Sequence, residues 1–304
     1  MKIVFMGTPD FAVASLNALL EAGFELVGVI TAPDKPAGRG QKINESAVKQ
    51  FAVEKRLKIL QPVKLKDPEF IQELRSLHAD LQVVVAFRML PEIVWNMPEK
   101  GTINLHGSLL PQYRGAAPIN WAIINGEKES GVSTFFLKQE IDTGDILFSE
   151  KVNIEEKDTA GDLHDKLMTV GAKLLVKTVK AIESSDYEEI PQNIKKGETL
   201  KSAPKIFRED CQINWNQPAM TIYNHIRGLS PYPAAFCLFQ GKTLKIFQAE
   251  VNHSKHAQEP GNFQTDHKET LQFACADGFI SIQELQLEGK KKMKTDEFLR
   301  GIRL

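Results

Sequence analysis

No stretch of this 304-residue chain approaches the roughly 20 consecutive apolar residues that a membrane span needs. The opening Met1-Lys2-Ile3-Val4-Phe5-Met6-Gly7 is also too short for the apolar part of a secretion signal before Pro9 and Asp10 interrupt it. A cytoplasmic protein is therefore expected. Cysteine is scarce: Cys211, Cys237 and Cys275 are odd in number and widely spaced, which fits neither a disulfide framework nor a set of zinc ligands. They read as core residues in a reducing compartment, and no metal is expected. A G-x-G-x-x-G turn is missing too. The first strand ends in Gly7-Thr8-Pro9-Asp10, where Asp10 would repel a pyrophosphate at a helix N-terminus, and this argues against dinucleotide chemistry. No internal repeat or low-complexity tract is visible.

What remains is an ordinary globular composition, 42% hydrophobic and 25% charged, in a chain longer than one core usually supports. Two domains follow. The net charge of -1 conceals an asymmetry, since residues 195 to 304 hold 16 Lys and Arg against 12 Asp and Glu, a balance of +4. The C-terminal part is the more anion-friendly one.

Short apolar runs at Lys2 to Met6 and Leu26 to Thr31 flank a stretch of helical periodicity that stops at Gly23. The same alternation continues through a helix near Ser46 to Lys55, a strand near Lys58 to Leu60, a helix from Asp67 to Leu77 and the continuous apolar run Leu81 to Phe87. A run buried on both faces marks the centre of a parallel sheet, so the first part is an α/β doubly wound, mainly parallel sheet. A strand ending in Asn104 to His106, a helix near Pro118 to Ile124, a hairpin of Gly131 to Leu137 with Asp145 to Val152, and a long helix from about Thr159 to Ile182 complete it. From Tyr187 to Ala203 the chain turns polar and aperiodic, as an interdomain linker does. Short β-rich runs beyond it predict a small barrel. The boundaries are drawn at 1–188, 189–204 and 205–304.

The densest chemistry lies in Ile103-Asn104-Leu105-His106-Gly107-Ser108-Leu109-Leu110-Pro111 and Ile141-Asp142-Thr143-Gly144-Asp145. Residues two apart on a strand point the same way, so Asn104 and His106 project together, roughly 6 to 7 Å apart. An amide and an imidazolium both donate hydrogen bonds to an oxyanion, and a carboxylate beside the imidazole holds its charge and helps move a proton. That combination suits acyl transfer to an amine. Asp142 and Asp145 both sit in a turn-forming stretch, and residue type alone does not choose between them.

His106-Gly-Ser-Leu-Leu-Pro-Gln-Tyr-Arg-Gly115, with Ala117-Pro-Ile-Asn-Trp121 after it and Ile141-Asp-Thr-Gly-Asp-Ile146 ahead, closely resembles the signature of the 10-formyltetrahydrofolate-dependent formyltransferases. The resemblance implies that Asn104, His106 and Asp142 are the catalytic trio. It also implies that Ser108, Leu109, Leu110 and Pro111 line the site of the 10-formyltetrahydrofolate co-substrate. One departure is Phe87-Arg88-Met89, where many members carry an aromatic residue and then glycine.

The amine acceptor is indicated elsewhere. The run Pro33-Asp-Lys-Pro-Ala-Gly-Arg-Gly40 resembles the insertion by which the tRNA-directed members hold an acceptor stem, which implies that Arg39 and Lys42 contact RNA. Asn224 to Ala234 and Leu285 to Met293 resemble the tail domain of those members, with Lys290, Lys291 and Lys292 as phosphate partners. Methionyl-initiator tRNA is thus the expected partner of a monomeric enzyme. The alternative is a sugar-nucleotide N-formyltransferase with the same donor and trio.

Overall fold

The apolar run that opens the chain forms β1 (Lys2–Gly7), whose last five residues are buried. The structure, a computed structural model, describes residues 1–37, 42–193, 197 and 199–302. After β1 come α1 (Asp10–Glu21), β2 (Glu25–Ile30), the short strands β3 (Lys35–Ala37) and β4 (Lys42–Asn44), α2 (Ala47–Glu54) and β5 (Ile59–Leu60). They are followed by α3 (Pro68–Ser76), β6 (Leu81–Val85), α4 (Glu92–Trp95) and β7 (Thr102–His106). The chain continues through β8 (Arg114–Gly115), α5 (Pro118–Ile124), β9 (Glu129–Phe136), β10 (Ile146–Asn153) and α6 (Ala160–Ser184).

Seven of these strands form one sheet ordered β10-β9-β7-β6-β1-β2-β5. Pairing is parallel from β7 to β5 and antiparallel where β9 joins β7. This is the doubly wound, mainly parallel sheet expected. All five residues of β6 are buried, as a strand covered on both faces requires. The chain runs outward from β1 to β2 and β5, then returns to the other side of β1 as β6. Such a reversal leaves a crevice at the carboxyl ends of the central strands, where open α/β sheets bind ligands.

Helix starts follow local chemistry. Ser46 accepts from the Lys49 N–H at 3.0 Å to open α2, and Asp67 accepts from Glu69 at 3.1 Å ahead of Pro68 to open α3. At α6 Thr159 and Asp162 cap each other reciprocally, at 3.2 and 2.8 Å.

The remaining elements are β11 (Ser202–Ala203), α7 (Ala219–Leu229), β12 (Ala235–Phe239), β13 (Lys242–Asn252), β14 (Phe263–Thr265), β15 (Leu271–Ala274), β16 (Phe279–Leu287), β17 (Met293–Lys294) and α8 (Thr295–Arg300). Strands β12-β13-β16-β15-β14, with β17 added to β16, make a six-stranded antiparallel sheet. Register shifts in β13 between Ile246 and Ala249 bend the strand, which a small curved sheet needs. This is the small OB-like domain. Ile222, Ile226 and Leu229, on one stripe of α7, join Phe239, Phe273 and Leu285 in its core. The three cysteines are buried there, and burial pushes the Cys237 thiol up to about 12.

Chain contacts group Met1–Arg114, Gly131–Val152 and His164–Ser202 into one unit, and Gly115–Ser130, Asn153–Leu163 and Ala203–Leu304 into a second. Neither unit is contiguous in sequence. The stretch expected as an interdomain linker is tied to the sheet at its start. Ile190 exchanges two backbone hydrogen bonds with Ile146, at 2.8 and 2.9 Å, and the Tyr187 ring lies 5.8 Å from that of Phe136. Polar composition hid this, because the ordering comes from backbone pairing rather than from an apolar stripe.

His225 in α7 supplies a pH prediction. Its Nε2 is buried without a partner, and burial pushes the imidazole below its ordinary value, against the opposing effects of a hydrogen bond to the Cys211 backbone and the Asp210 charge. Below the ordinary histidine pKa of roughly 6.5 the unfolded chain takes up a proton that the folded chain resists, so stability falls with pH. His225→Phe is expected to flatten that dependence. The check is the urea midpoint of both proteins at pH 7 and 5, and equal drops would refute the assignment.

Candidate active site

His106 is the last residue of β7, at the carboxyl edge of the sheet, and is 6% exposed. Its Nε2 lies 2.9 Å from the Tyr113 carbonyl oxygen. A carbonyl only accepts, so Nε2 carries the hydrogen and donates it. The other nitrogen, Nδ1, is 3.8 Å from Asp142 Oδ2. A proton gained or released by the ring therefore resides on the nitrogen that faces a carboxylate. Asn104, two residues earlier on the same strand, is half-buried and pairs in register with Val84 on one side and Phe135 on the other.

Asp142 reaches His106 because its backbone adopts the left-handed region, with φ 54°. Asp145, the competing carboxylate, pairs with Lys138 instead. The fold thus brings together Asn104 and His106 by strand periodicity and adds Asp142 through the turn that joins β9 to β10.

The loop after β7 is pinned from within. Ser108 is fully buried and its hydroxyl donates to the Gln112 carbonyl at 2.6 Å. Leu110 is buried, whereas Leu109 and Pro111 are half-buried. From β9, opposite His106 in register, Ser133 accepts from the Leu110 N–H at 3.2 Å and donates to the Ser108 carbonyl at 2.8 Å. Tyr113, with φ 61°, is held by a 2.6 Å bond from its N–H to the Lys201 carbonyl. These bonds aim the Tyr113 carbonyl at the histidine ring. Ser133 carries no sequence signal of its own, since its role depends on strand register, and Tyr113 acts on the ring through its backbone carbonyl, which residue type does not report.

A cavity of about 780 Å³ is lined by Leu65, Lys66 and residues 88–93, directly after β6. Because β6 and β7 pair in parallel, with Val85 opposite Leu105, the segment that lines this cavity leaves the sheet at the same edge as His106. Arg88 spans its wall, donating through Nη1 to the Val63 carbonyl at 2.9 Å and through Nη2 to that of Pro62. The departure from the aromatic-glycine pattern is absorbed as a tie to the neighbouring segment.

Among the basic residues, Arg39 lies outside the described residues. Lys42 pairs through its backbone with Ala37 in the β3–β4 hairpin, and its side chain lies outside the description. The base of that hairpin is strapped by Lys49 of α2, whose ammonium bonds both Asp34, just before β3, and Glu45, just after β4, the latter at 2.7 Å. Gln61 adds a bond to Asp34 at 2.8 Å. Hydrogen bonding to Lys49 holds the Asp34 carboxyl below its ordinary value. In the second unit Lys290 and Lys291 are exposed, while Lys292 bonds Glu284 at 2.6 Å and lies over the Phe247 ring. Among the described residues no cluster of His, Cys, Asp and Glu is arranged to hold a metal ion, and no helix is long and apolar enough to cross a membrane.

Residues 1–179 match the family model described as formyl transferase, and residues 205–303 match that of the formyl transferase C-terminal domain. The methionyl-tRNA formyltransferase of Bacteroides fragilis is 55% identical, over 100% of this chain and 96% of the relative. That of Flavobacterium johnsoniae is 49% identical, over 99% and 96%. A solved N-formyltransferase from Helicobacter canadensis, in complex with folinic acid and dTDP-3-aminofucose, is similar at 23% identity with a TM-score of 0.68, over 96% of this chain and all of that one. HypX from Aquifex aeolicus, in complex with tetrahydrofolic acid, is 18% identical with a TM-score of 0.66, over 98% of this chain and 47% of that longer one. At these identities the two solved structures speak for the fold alone.

Proposed function

We propose an activity from one premise: the chain belongs to the formyl transferase family. The reaction is transfer of the formyl group of 10-formyltetrahydrofolate to the free α-amine of methionine esterified to initiator tRNA, giving N-formylmethionyl-tRNA for translation initiation in the cytoplasm. The observation that carries the chemistry is the orientation of His106, anchored at Nε2 by Tyr113 and facing Asp142 through Nδ1.

The amine attacks the formyl carbon, the new C–N bond forms, and the carbonyl oxygen takes up negative charge. Asn104 and the protonated Nδ1 of His106 donate to that oxygen, while Asp142 offsets the imidazolium charge and relays the ammonium proton, through water, towards N10 of the departing tetrahydrofolate. Collapse breaks the bond between the formyl carbon and N10. Stabilising donors of this kind are each worth about a hundred- to a thousandfold in rate. Leu109, Pro111 and the cavity after β6 supply the apolar wall that a pteridine needs, and Ser108 and Leu110 support it from beneath.

Relatives that align over the whole chain at 55% identity favour the tRNA acceptor over a sugar nucleotide, whose solved representative stands at 23%. In this reading residues 1–188 act as catalytic domain, 189–204 as linker and 205–304 as tRNA-binding barrel, with Arg39, Lys42, Lys290 and Lys291 on phosphates and Lys292 a weaker contributor because of its bond to Glu284. The enzyme acts as a monomer. Formylation assays with methionyl-initiator tRNA, elongator methionyl-tRNA and a 4-amino sugar nucleotide test it, and turnover of the sugar alone would overturn the reading.

The strap at the hairpin base yields a separate expectation. Lys49→Met releases Asp34 and Glu45 and loosens the base of the hairpin formed by β3 and β4, so KM for the tRNA is expected to rise several-fold with kcat unchanged. Steady-state kinetics at varied tRNA concentration measure this, and an unchanged KM would deny the strap any part in binding.

A further inference from the structure

The turn that presents Asp142 is held by a side chain 50 residues away in sequence. Gln192 donates through Nε2 to the Asp142 carbonyl at 2.9 Å and to the Gly144 carbonyl at 2.7 Å. Its Oε1 accepts from Arg114 twice, from Nε at 3.1 Å and from Nη2 at 2.7 Å. Both hydrogens and both lone-pair directions of the amide are thereby used. The amide orientation is settled by its partners, because carbonyls only accept and a guanidinium only donates.

The placement follows from register. Ile190 and Ile146 bridge in antiparallel fashion, so two residues further on Gln192 stands opposite Gly144. Where the backbone ladder stops, the Gln192 side chain continues it across the turn. Arg114, at the other end, directly follows Tyr113, whose carbonyl fixes the His106 ring. The two partners of the His106–Asp142 pair are thus mounted on neighbouring residues through one amide.

We infer that Gln192, tied to Arg114, is a positioning residue that sets the separation between His106 and Asp142. The inference rests on the catalytic reading of Asp142 given above. Gln192 touches neither substrate in this assignment and acts only through the turn.

The test is a double-mutant cycle on the full-length enzyme, with kcat and KM measured for methionyl-initiator tRNA and 10-formyltetrahydrofolate. Gln192→Ala is expected to lower kcat about ten- to a hundredfold, the scale of a misplacement near 1 Å, with both KM values within twofold. Asp142→Asn is expected to be slower still, and the double variant no slower than Asp142→Asn alone, because the strap has nothing left to position. Arg114→Met leaves Gln192 on both carbonyls and is expected to lower kcat less than Gln192→Ala. It serves as the readout should Gln192→Ala fold poorly. Multiplicative losses in the cycle, or a kcat within twofold of wild type for both Gln192→Ala and Arg114→Met, overturn the strap while leaving the reading of Asp142 intact. A kcat unchanged by Asp142→Asn overturns that reading itself, and the strap with it.

Discussion

His106→Ala is expected to lower kcat by about a thousandfold or more, while the protein stays folded and still retains methionyl-tRNA. In the proposed reaction the imidazole supplies one donor to the oxyanion and the site of the mobile charge. Stability changes far less. The ring's hydrogen bond to the Tyr113 carbonyl, at 2.9 Å, is lost, and a bond of this kind is worth about 0.5 to 1.5 kcal/mol. Single-turnover formylation measures the chemical step directly, and filter retention of tRNA separates it from binding. A kcat within tenfold of wild type would remove His106 from the reaction.

The parts of this site differ in how far the sequence exposes them. Asn104 and His106 were legible as a pair because a strand has period two, and their facing survives any error in strand boundaries. Asp142 was not separable from Asp145 by residue type. The direction of a turn side chain depends on its backbone dihedrals, and the left-handed φ of 54° at Asp142 is a property of the folded turn. The family resemblance selected Asp142, and the fold turns it towards His106 while Asp145 meets Lys138. Gln192 left no signal. It lies in a polar, aperiodic stretch, and its contacts exist only because Ile190 bridges to Ile146.

A similar limit applies to the fold. Buried central strands such as β6 are read from their unbroken apolar runs. Hydrophobic pattern reports that a face is covered but not what covers it. For that reason Gly115–Ser130 and Asn153–Leu163 gave no sign of belonging with the C-terminal unit, although Asn120 donates to the Gly228 carbonyl at 2.8 Å and Arg227 to that of Asp158 at 2.9 Å. Both bonds join residues more than 60 apart in sequence, beyond the reach of any local pattern.

Gly144→Ala is expected to cost about a hundredfold or more in kcat, comparable to the loss of a well-placed catalytic group. Within Asp142-Thr143-Gly144-Asp145 the glycine looks like a residue chosen for turn flexibility, yet its reason is a close approach. A Cβ at position 144 would lie 1.6 Å from the Phe136 carbonyl oxygen and 3.0 Å from the Phe135 ring. A Cβ is fixed by the backbone, so no rotamer relieves the clash and one of the two chains must move. Phe135 and Phe136 are locked in β9, paired with Asn104 and Ile103, so the turn gives way. It carries Asp142 two residues back, and the Gly144 carbonyl that moves is one of the two held by Gln192. Gly23→Ala is the matched control. There φ is +84° but nothing lies within 4 Å of the added carbon, so the cost is about 1 kcal/mol of stability with kcat unchanged. Comparing kcat and thermal midpoint for the two variants separates displacement of the turn from general destabilisation. A Gly144→Ala enzyme with wild-type kcat would mean that the position of Asp142 does not limit the reaction.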